Sequence, residues 1–329
     1  MSKISVPTKL KEWGLPLWFL RAYNVLVIAV FFLIALGGSV RIMKAGLACP
    51  DWPLCFGDVI PDYHPQVYFE FIHRVVAGGV AIVATSLHLI LFRSRAPRAL
   101  KWLGGFALTL LLAQIVFGGL TVLLLLQSYV VATHLVLGTG FFATLLWMYL
   151  TLKPAGKPVE AGPRWLFPLS LFMVCAVYGQ ILLGGLVASN FASLVCLDFP
   201  TCHGEWFPTF RGIIGLHIIH RLGAYFIFLS ALTNFILVRK FSLSPQIRKL
   251  ASILMLCVMG QVALGIANVL FLTPPLIAVA HLALGVGVLS VALRQLQAVR
   301  AAFKPRVPAT ERSCRSSAPV YPGALVESR

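Results

Sequence analysis

Eight long apolar segments alternate with short polar ones along the 329-residue chain. An α-helix needs about 20 apolar residues to cross the roughly 30 Å hydrocarbon core of a bilayer. The segments cover residues 20–40, 66–92, 101–122, 129–150, 165–187, 212–238, 250–272 and 276–296. This pattern predicts an all-α membrane protein with eight transmembrane helices.

The second half of the chain repeats the first after 147 residues. GGSVRIMKAGLACPDWPLCFG (37–57) aligns without gaps with GGLVASNFASLVCLDFPTCHG (184–204), and ten of the 21 positions are identical. Each repeat contains an even number of helices, so both halves have the same orientation in the membrane. The prediction is two tandem four-helix bundles related by a pseudo-twofold axis along the membrane normal.

Polar stretches divide the chain into five parts. Residues 1–19 are predicted to form an N-terminal tail, 20–152 the first half, 153–164 a Pro/Gly-rich linker, 165–298 the second half and 299–329 a disordered tail. The first apolar segment follows a basic N-terminus, as a signal peptide does. It ends in GGSV, as the fifth ends in GGLV, and we therefore predict that it is retained as a helix.

Composition and charge limit the classes of protein. With 59% hydrophobic and 11% charged residues, the chain lies outside the range of soluble domains. The net charge of +17 does not require nucleic acid, because 22 of the 27 Lys and Arg residues fall in segments on one side of the predicted topology. The positive-inside rule then places both termini in the cytoplasm. We predict a multi-pass protein of the cell (inner) membrane, with the lipid bilayer as its partner.

Four histidines occupy equivalent places in the two halves. They lie within the first turns of helices 2, 4, 6 and 8, all of which enter from the outside, and the two in each half are 61 residues apart: His73, His134, His220 and His281. Two imidazoles facing each other across a four-helix unit are what bis-histidine haem ligation requires. The pattern predicts one haem site in the outer part of each half. His88 has no histidine counterpart and is interpreted as a packing residue.

Charged residues beside these histidines distinguish the halves. Glu70 precedes His73 by one turn on the same helix face, whereas its counterpart is His217. A buried carboxyl group suits general acid or base catalysis, and capping of the helix is the alternative. The asymmetry suggests that one half performs proton chemistry and the other holds a permanent cofactor. Arg74 and Arg221, which follow the histidines, are candidates for binding haem propionates or for reaching the lipid head groups.

Two pairs of cysteines lie in the predicted outer loops at identical spacing: Cys49 with Cys55, and Cys196 with Cys202. Disulfides are permitted on that oxidising side of the membrane. Metal capture or redox chemistry by an exposed thiol pair is the alternative. We predict a structural disulfide for the second pair and a disulfide or a reactive pair for the first.

These motifs together resemble the haem A synthase family, membrane enzymes that mature haem for cytochrome oxidases. The resemblance covers residues 20–296 and rests on EFIHR, GLHIIHR, the single histidines of helices 4 and 8, the CPDWPLC and CLDFPTC loops and the tandem repeat. It implies oxidation of the C8 methyl of haem O to a formyl group, with oxygen from water. His73 and His134 would hold the substrate haem beside Glu70, and His220 and His281 would ligate a haem b.

The resemblance also implies partners. Haem O would come from a haem O synthase, an electron acceptor would be needed, and a homo-oligomer is compatible with the sequence. Two other functions use parts of the same pattern. A bis-histidine dihaem cytochrome b linked to quinol would use all four histidines but has no need of Glu70 in one half only. A transporter would use the repeat but does not require two histidine pairs at ligand spacing.

Overall fold

Eight long helices dominate the structure, a computed structural model that describes residues 8–153, 162–206, 208–242 and 244–303. Most of the predicted linker and of the predicted C-terminal tail lies outside these residues. The helices are α1 (Leu17–Ile42), α2 (Pro65–Arg93), α3 (Arg98–Leu123), α4 (Ser128–Leu152), α5 (Leu166–Ser189), α6 (Gly212–Phe241), α7 (Pro245–Leu270) and α8 (Pro275–Ala302). All eight are long and apolar enough to span a membrane, which confirms the predicted all-α, multi-pass class.

The helix ends extend beyond the apolar segments. α7 begins at Pro245 rather than near residue 250, because Ser244 caps it by accepting a hydrogen bond from the Ile247 N–H, and proline suits the first helical position. The polar first turn of α7 gave no hydropathy signal. A short helix, Thr8–Glu12, lies within the segment predicted as a tail, and its Leu10 is fully buried. The described part of this segment, from residue 8 onward, is therefore packed against the bundle.

Each half is a closed four-helix bundle. Consecutive helices are neighbours, α1 also contacts α4, and α5 also contacts α8. The halves meet where α1 contacts α8, where α4 contacts α5 and where α4 contacts α8. One large apolar core fills the first half and continues to α8, and a second lies among α5 to α8.

Two hydrogen bonds between the halves join residues separated by the repeat length. The Arg41 guanidinium donates to the Ala188 carbonyl, and Gln297 Nε2 donates to the Leu150 carbonyl over 2.6 Å. Each bond therefore links a residue with its own counterpart. The first lies at the end of the bundle that carries the loops 43–64 and 190–211, here called the cysteine side, and the second lies at the opposite end.

Candidate functional site

The structure brings together each predicted pair of histidines. Every member lies six or eight residues after the start of its helix, or about 9 to 12 Å along the helix axis from the cysteine side. His73 and His134 are close enough for their charges to interact, and so are His220 and His281. Two histidine pairs therefore lie at the same level, one in each half.

Each imidazole packs against a glycine of the preceding helix. A Cβ atom built on the glycine would lie 3.0 to 3.3 Å from the ring Cε1, closer than a comfortable van der Waals contact. The pairs are Gly37 with His73, Gly118 with His134, Gly184 with His220 and Gly265 with His281. These glycines therefore make room for the imidazole rings. Gly38 and Gly185 directly follow Gly37 and Gly184, and they face Leu282 and Leu135 of the other half. Both glycines of each pair therefore allow close packing.

The rings fit the iron of a haem. All four histidines are half-buried, and the Nδ1 atoms of His73, His134 and His281 are buried without a hydrogen-bond partner. Among the described residues no group of three or more His, Cys, Asp or Glu side chains could hold a metal ion. A bis-histidine haem needs only two protein ligands, because the porphyrin supplies the others.

Three glutamines lie beside the histidines, and sequence reasoning gave them no role. Gln114 Nε2 donates to the His134 carbonyl over 2.7 Å, and Gln180 Nε2 donates to the His220 carbonyl over 2.8 Å. Gln261 Nε2 lies 3.3 Å from His281 Nε2. In α3, α5 and α7 each glutamine precedes the glycine that faces the histidine by four residues. This Gln-x-x-x-Gly spacing is the sequence pattern from which the glutamines could have been identified. The equivalent position in α1 is Leu33, so the His73 site lacks this amide.

Glu70 anchors the first cysteine loop to α2. Its side chain is almost completely buried. Oε2 accepts the N–H of Cys49 over 2.9 Å, and Oε1 accepts Arg74 Nη2 over 2.6 Å. Arg74 Nη1 donates to the carbonyls of Asp51 and Leu54. The predicted alternative, in which Glu70 caps its own helix, is wrong, because the N–H that Glu70 binds belongs to the loop.

The second half replaces this ion pair with neutral contacts. Arg221 donates from Nη1 to the Thr201 carbonyl and from Nη2 to the Cys196 carbonyl. His217 Nδ1 lies 2.7 Å from the Ala192 carbonyl. Arg221 Nε is buried without a partner. The two arginines therefore both hold a loop, while among the described residues a buried carboxylate occurs in the first half only.

Both cysteine pairs form disulfides, with Cα–Cα distances of 4.8 Å. All four cysteines are buried, so the structure favours bridges over an exposed thiol pair in both loops. Trp52, from the first loop, packs on Gly119 near the end of α3. The first loop thus covers the cysteine side of the first half.

An aspartate closes the turn of each loop. Asp51 accepts the N–H groups of Phe56 and Gly57, and these bonds, led by Gly57, together with the charge of Arg74 lower the pKa of its carboxyl group. The Thr201 hydroxyl and two backbone N–H groups lower the pKa of Asp198 in the same way. Both side chains are therefore ionised at neutral pH, and each stabilises its loop as an acceptor.

The remaining histidines lie apart from the two pairs. His88 is fully buried, 3.3 Å from the Tyr23 hydroxyl and 2.7 Å from the Ala84 carbonyl. It is a packing residue, as predicted. His64 and His203 are exposed in the loops.

We expect non-reducing alkylation of the purified protein to leave Cys49, Cys55, Cys196 and Cys202 unlabelled, because the bridges protect all four. Cys175 is exposed and unbridged and is the internal control for labelling. Mass spectrometry of the peptides measures the result. Labelling of either cysteine pair without a reductant would show that its disulfide is absent, and would favour the exposed thiol pair in that loop.

Comparison with known proteins gives one family and several full-length relatives. The family model COX15-CtaA, described as a cytochrome oxidase assembly protein, matches residues 21–67 and 62–293. A protein of Shewanella oneidensis named Heme A synthase is 31% identical over 306 residues, covering 80% of this chain and 90% of that protein. A protein with the same name from Shouchella clausii is 30% identical, and the match covers 74% of this chain and 84% of that protein. One from Halalkalibacterium halodurans is also 30% identical, and the match covers 71% of this chain and 81% of that protein.

Proposed function

We propose that this chain, which belongs to the COX15-CtaA family of cytochrome oxidase assembly proteins, is a haem A synthase. The observation that carries the proposal is the combination of two histidine pairs with a buried carboxylate that, among the described residues, lies one helical turn from a member of one pair only. Relatives that share most of its length are named Heme A synthase. The product would serve the maturation of a cytochrome oxidase.

The reaction is the oxidation of the C8 methyl of haem O to the formyl group of haem A. The methyl group and one water molecule yield the formyl group, four protons and four electrons. His73 and His134 would hold the substrate haem, because Glu70 lies one turn from His73. His220 and His281 would hold haem b, which supplies one-electron transfer when bound. This division follows from the carboxylate in the first half.

Glu70 is proposed as the proton acceptor. Its carboxylate is buried and pairs with the Arg74 guanidinium at 2.6 Å. Its second oxygen accepts the Cys49 N–H, which fixes the position of the carboxylate against the first loop. Arg74 thereby orients the base as well as the loop.

Arg74 and Arg221 are also proposed to bind haem propionates. Each guanidinium uses part of its five donors on loop carbonyls. Arg221 Nε is buried without a partner, and a buried donor in this state favours an anionic ligand. The loops would then be held more firmly when haem is present.

The topology proposed from the sequence is consistent with these contacts. A residue can contact its own counterpart only near a twofold axis, and Arg41 with Ala188 and Gln297 with Leu150 supply such contacts at opposite ends of the bundle. We therefore propose a pseudo-twofold axis along the membrane normal. Both termini would be cytoplasmic, and the cysteine side with its haem sites would face the outside of the inner membrane, where disulfides are stable.

Supply of the substrate and removal of electrons require other components. Haem O is proposed to come from the haem O synthase, in keeping with its low solubility in water. An electron acceptor must take four electrons for each haem A produced. Association of the chain into a homo-oligomer is compatible with its exposed apolar helix faces.

Haem analysis of the purified protein tests the proposed function. Reduced-minus-oxidised spectra should show low-spin haem b, and incubation with haem O and an oxidant should yield haem A or a hydroxylated precursor on chromatography of the extracted haem. A quinol-linked electron carrier would give the same spectrum and leave haem O unchanged. Unchanged haem O with every oxidant would therefore reject the synthase assignment.

A further inference from the structure

A groove opens between α1, α4 and α8 on the side of the bundle away from the cysteine loops. Its volume is about 370 Å³. Three phenylalanines form its walls, together with aliphatic residues: Phe31, Phe32 and Phe142. Three polar side chains also line it: Asn24, Tyr149 and Ser290. A mainly apolar cavity with aromatic walls and a few polar groups is typical of a site for a small organic ligand.

The polar residues of the groove are not repeated in the other half. At the equivalent positions, 147 residues away, Asn24, Tyr149 and Ser290 are replaced by Leu171, Leu296 and Ala143. At the positions equivalent to Phe142, Leu146 and Tyr149, the other half carries Leu289, Leu293 and Leu296, and all three are buried. A purely structural role in the shared bundle would not require polar groups in one copy only. The groove is therefore a specialised feature of the α1 side.

The polar groups are available to a ligand. Within the described part of the chain, no residue forms a hydrogen bond with the Asn24 side chain or the Tyr149 hydroxyl, and both residues are half-buried. The Ser290 hydroxyl donates to the Val286 carbonyl over 2.8 Å. Polar groups within a membrane span are costly unless they have a partner. Two hydrogen-bond donors thus lie on an aromatic surface within reach of the lipid.

We propose that this groove binds an isoprenoid quinone, which accepts the electrons of the reaction. The two quinone carbonyls would accept hydrogen bonds from Asn24 and Tyr149, while the flat ring packs on the phenylalanines and the isoprenoid chain extends into the lipid. The proposal rests on the proposed function. One methyl group, one water molecule and two quinones yield one formyl group and two quinols, so that four electrons and four protons are transferred.

The groove lies within reach of both histidine pairs. α4 carries His134 and, eight residues later, Phe142; α8 carries His281 and, nine residues later, Ser290. At about 1.5 Å per residue, the groove begins roughly 12 to 14 Å below the histidines along the helix axes. α4 thus connects the groove with the proposed substrate site, and α8 connects it with the proposed haem b site.

Photolabelling of the membrane-inserted full chain with a short-chain azidoquinone tests the proposal. Label should appear in peptides containing residues 24–32 and 142–149, and unlabelled short-chain quinone should compete for it. Asn24→Leu and Tyr149→Leu introduce the residues that the other half carries, and each should lower labelling about tenfold, the value of one lost hydrogen bond in an apolar site. Trp102→Leu removes an exposed aromatic side chain from α3 and should leave labelling unchanged.

Haem conversion separates this proposal from the proposed function. With quinone as oxidant the double variant should lose at least tenfold in haem A formation, and with ferricyanide it should match the parent. The quinone assignment would be overturned if farnesol displaced the label as well as quinone does, or if the label appeared outside these peptides. Conversion of haem O with ferricyanide would still support the synthase in that case. Specific label with no conversion by either oxidant would instead reject the synthase and support a quinone-linked electron carrier.

Discussion

Replacing His220 or His281 by alanine is expected to remove the resident haem b and leave the helices in the membrane. Each histidine is one of the two proposed iron ligands of the second half, and alanine offers no donor atom. The substitution also leaves a gap against Gly184 or Gly265, the glycines that face these rings. The helices keep their apolar length, so insertion should not depend on the ligand. The haem-to-protein ratio and the reduced-minus-oxidised spectrum measure the loss.

Two matched variants control this experiment. His64→Ala removes an exposed histidine at the start of α2 and should keep the full haem content. His73→Ala removes the equivalent ligand candidate of the first half and should keep the resident haem b while substrate binding is lost. Full haem b in both His220→Ala and His281→Ala would show that the second pair does not hold it.

The repeat explains why so much of the architecture is predictable from the sequence. Ligand candidates are few in a membrane span, because polar residues are costly there. A shift of 147 residues that maps His73 to His220 and His134 to His281 therefore identifies the paired histidines without any tertiary information. The number of helices is predictable because each apolar segment is long enough to span the membrane. The structure brings both predicted pairs together, and it confirms the eight long helices and both disulfides.

Contacts made by the loops were beyond sequence reasoning for a physical reason. Glu70 precedes His73 by one turn, which indicates a shared face, but its partners are the Cys49 N–H and the Arg74 guanidinium. Whether a carboxylate meets a loop depends on the path of the chain between residues 43 and 64, and no periodicity encodes that path. The hydropathy pattern also does not predict the first turn of α7, because a serine cap and a proline determine where that helix begins.

Replacing Glu70 by glutamine is expected to lower conversion of haem O to haem A by about 100-fold, within the usual range for loss of a general base. Glutamine keeps the size of the side chain but cannot take up a proton near neutral pH. The content of haem b should remain near that of the parent, because the second half is unchanged. Haem O or a hydroxylated intermediate should accumulate, and chromatography of extracted haem measures both.

The contacts of Glu70 make a structural explanation testable beside the chemical one. A glutamine carbonyl can accept one of the two hydrogen bonds that Glu70 accepts from Cys49 and Arg74, so the first loop could loosen. Arg74→Gln breaks the same ion pair and retains the carboxylate. At saturating haem O, where loss of the proposed propionate contact does not limit the rate, it should therefore lose less conversion than Glu70→Gln. His217→Gln changes the equivalent position of the second half and should lower conversion by less than a few fold.

The comparison between Glu70→Gln and Arg74→Gln decides the role of the carboxylate. If both variants lose conversion equally and both expose the loop to proteolysis, the pair acts by holding the loop, and the base must lie elsewhere. If Glu70→Gln produces haem A at the parental rate, the carboxylate takes no part in proton transfer. A loss confined to Glu70→Gln, with the loop disulfide and haem b intact, assigns proton transfer to Glu70, because the titrating group is then the property that separates the two variants.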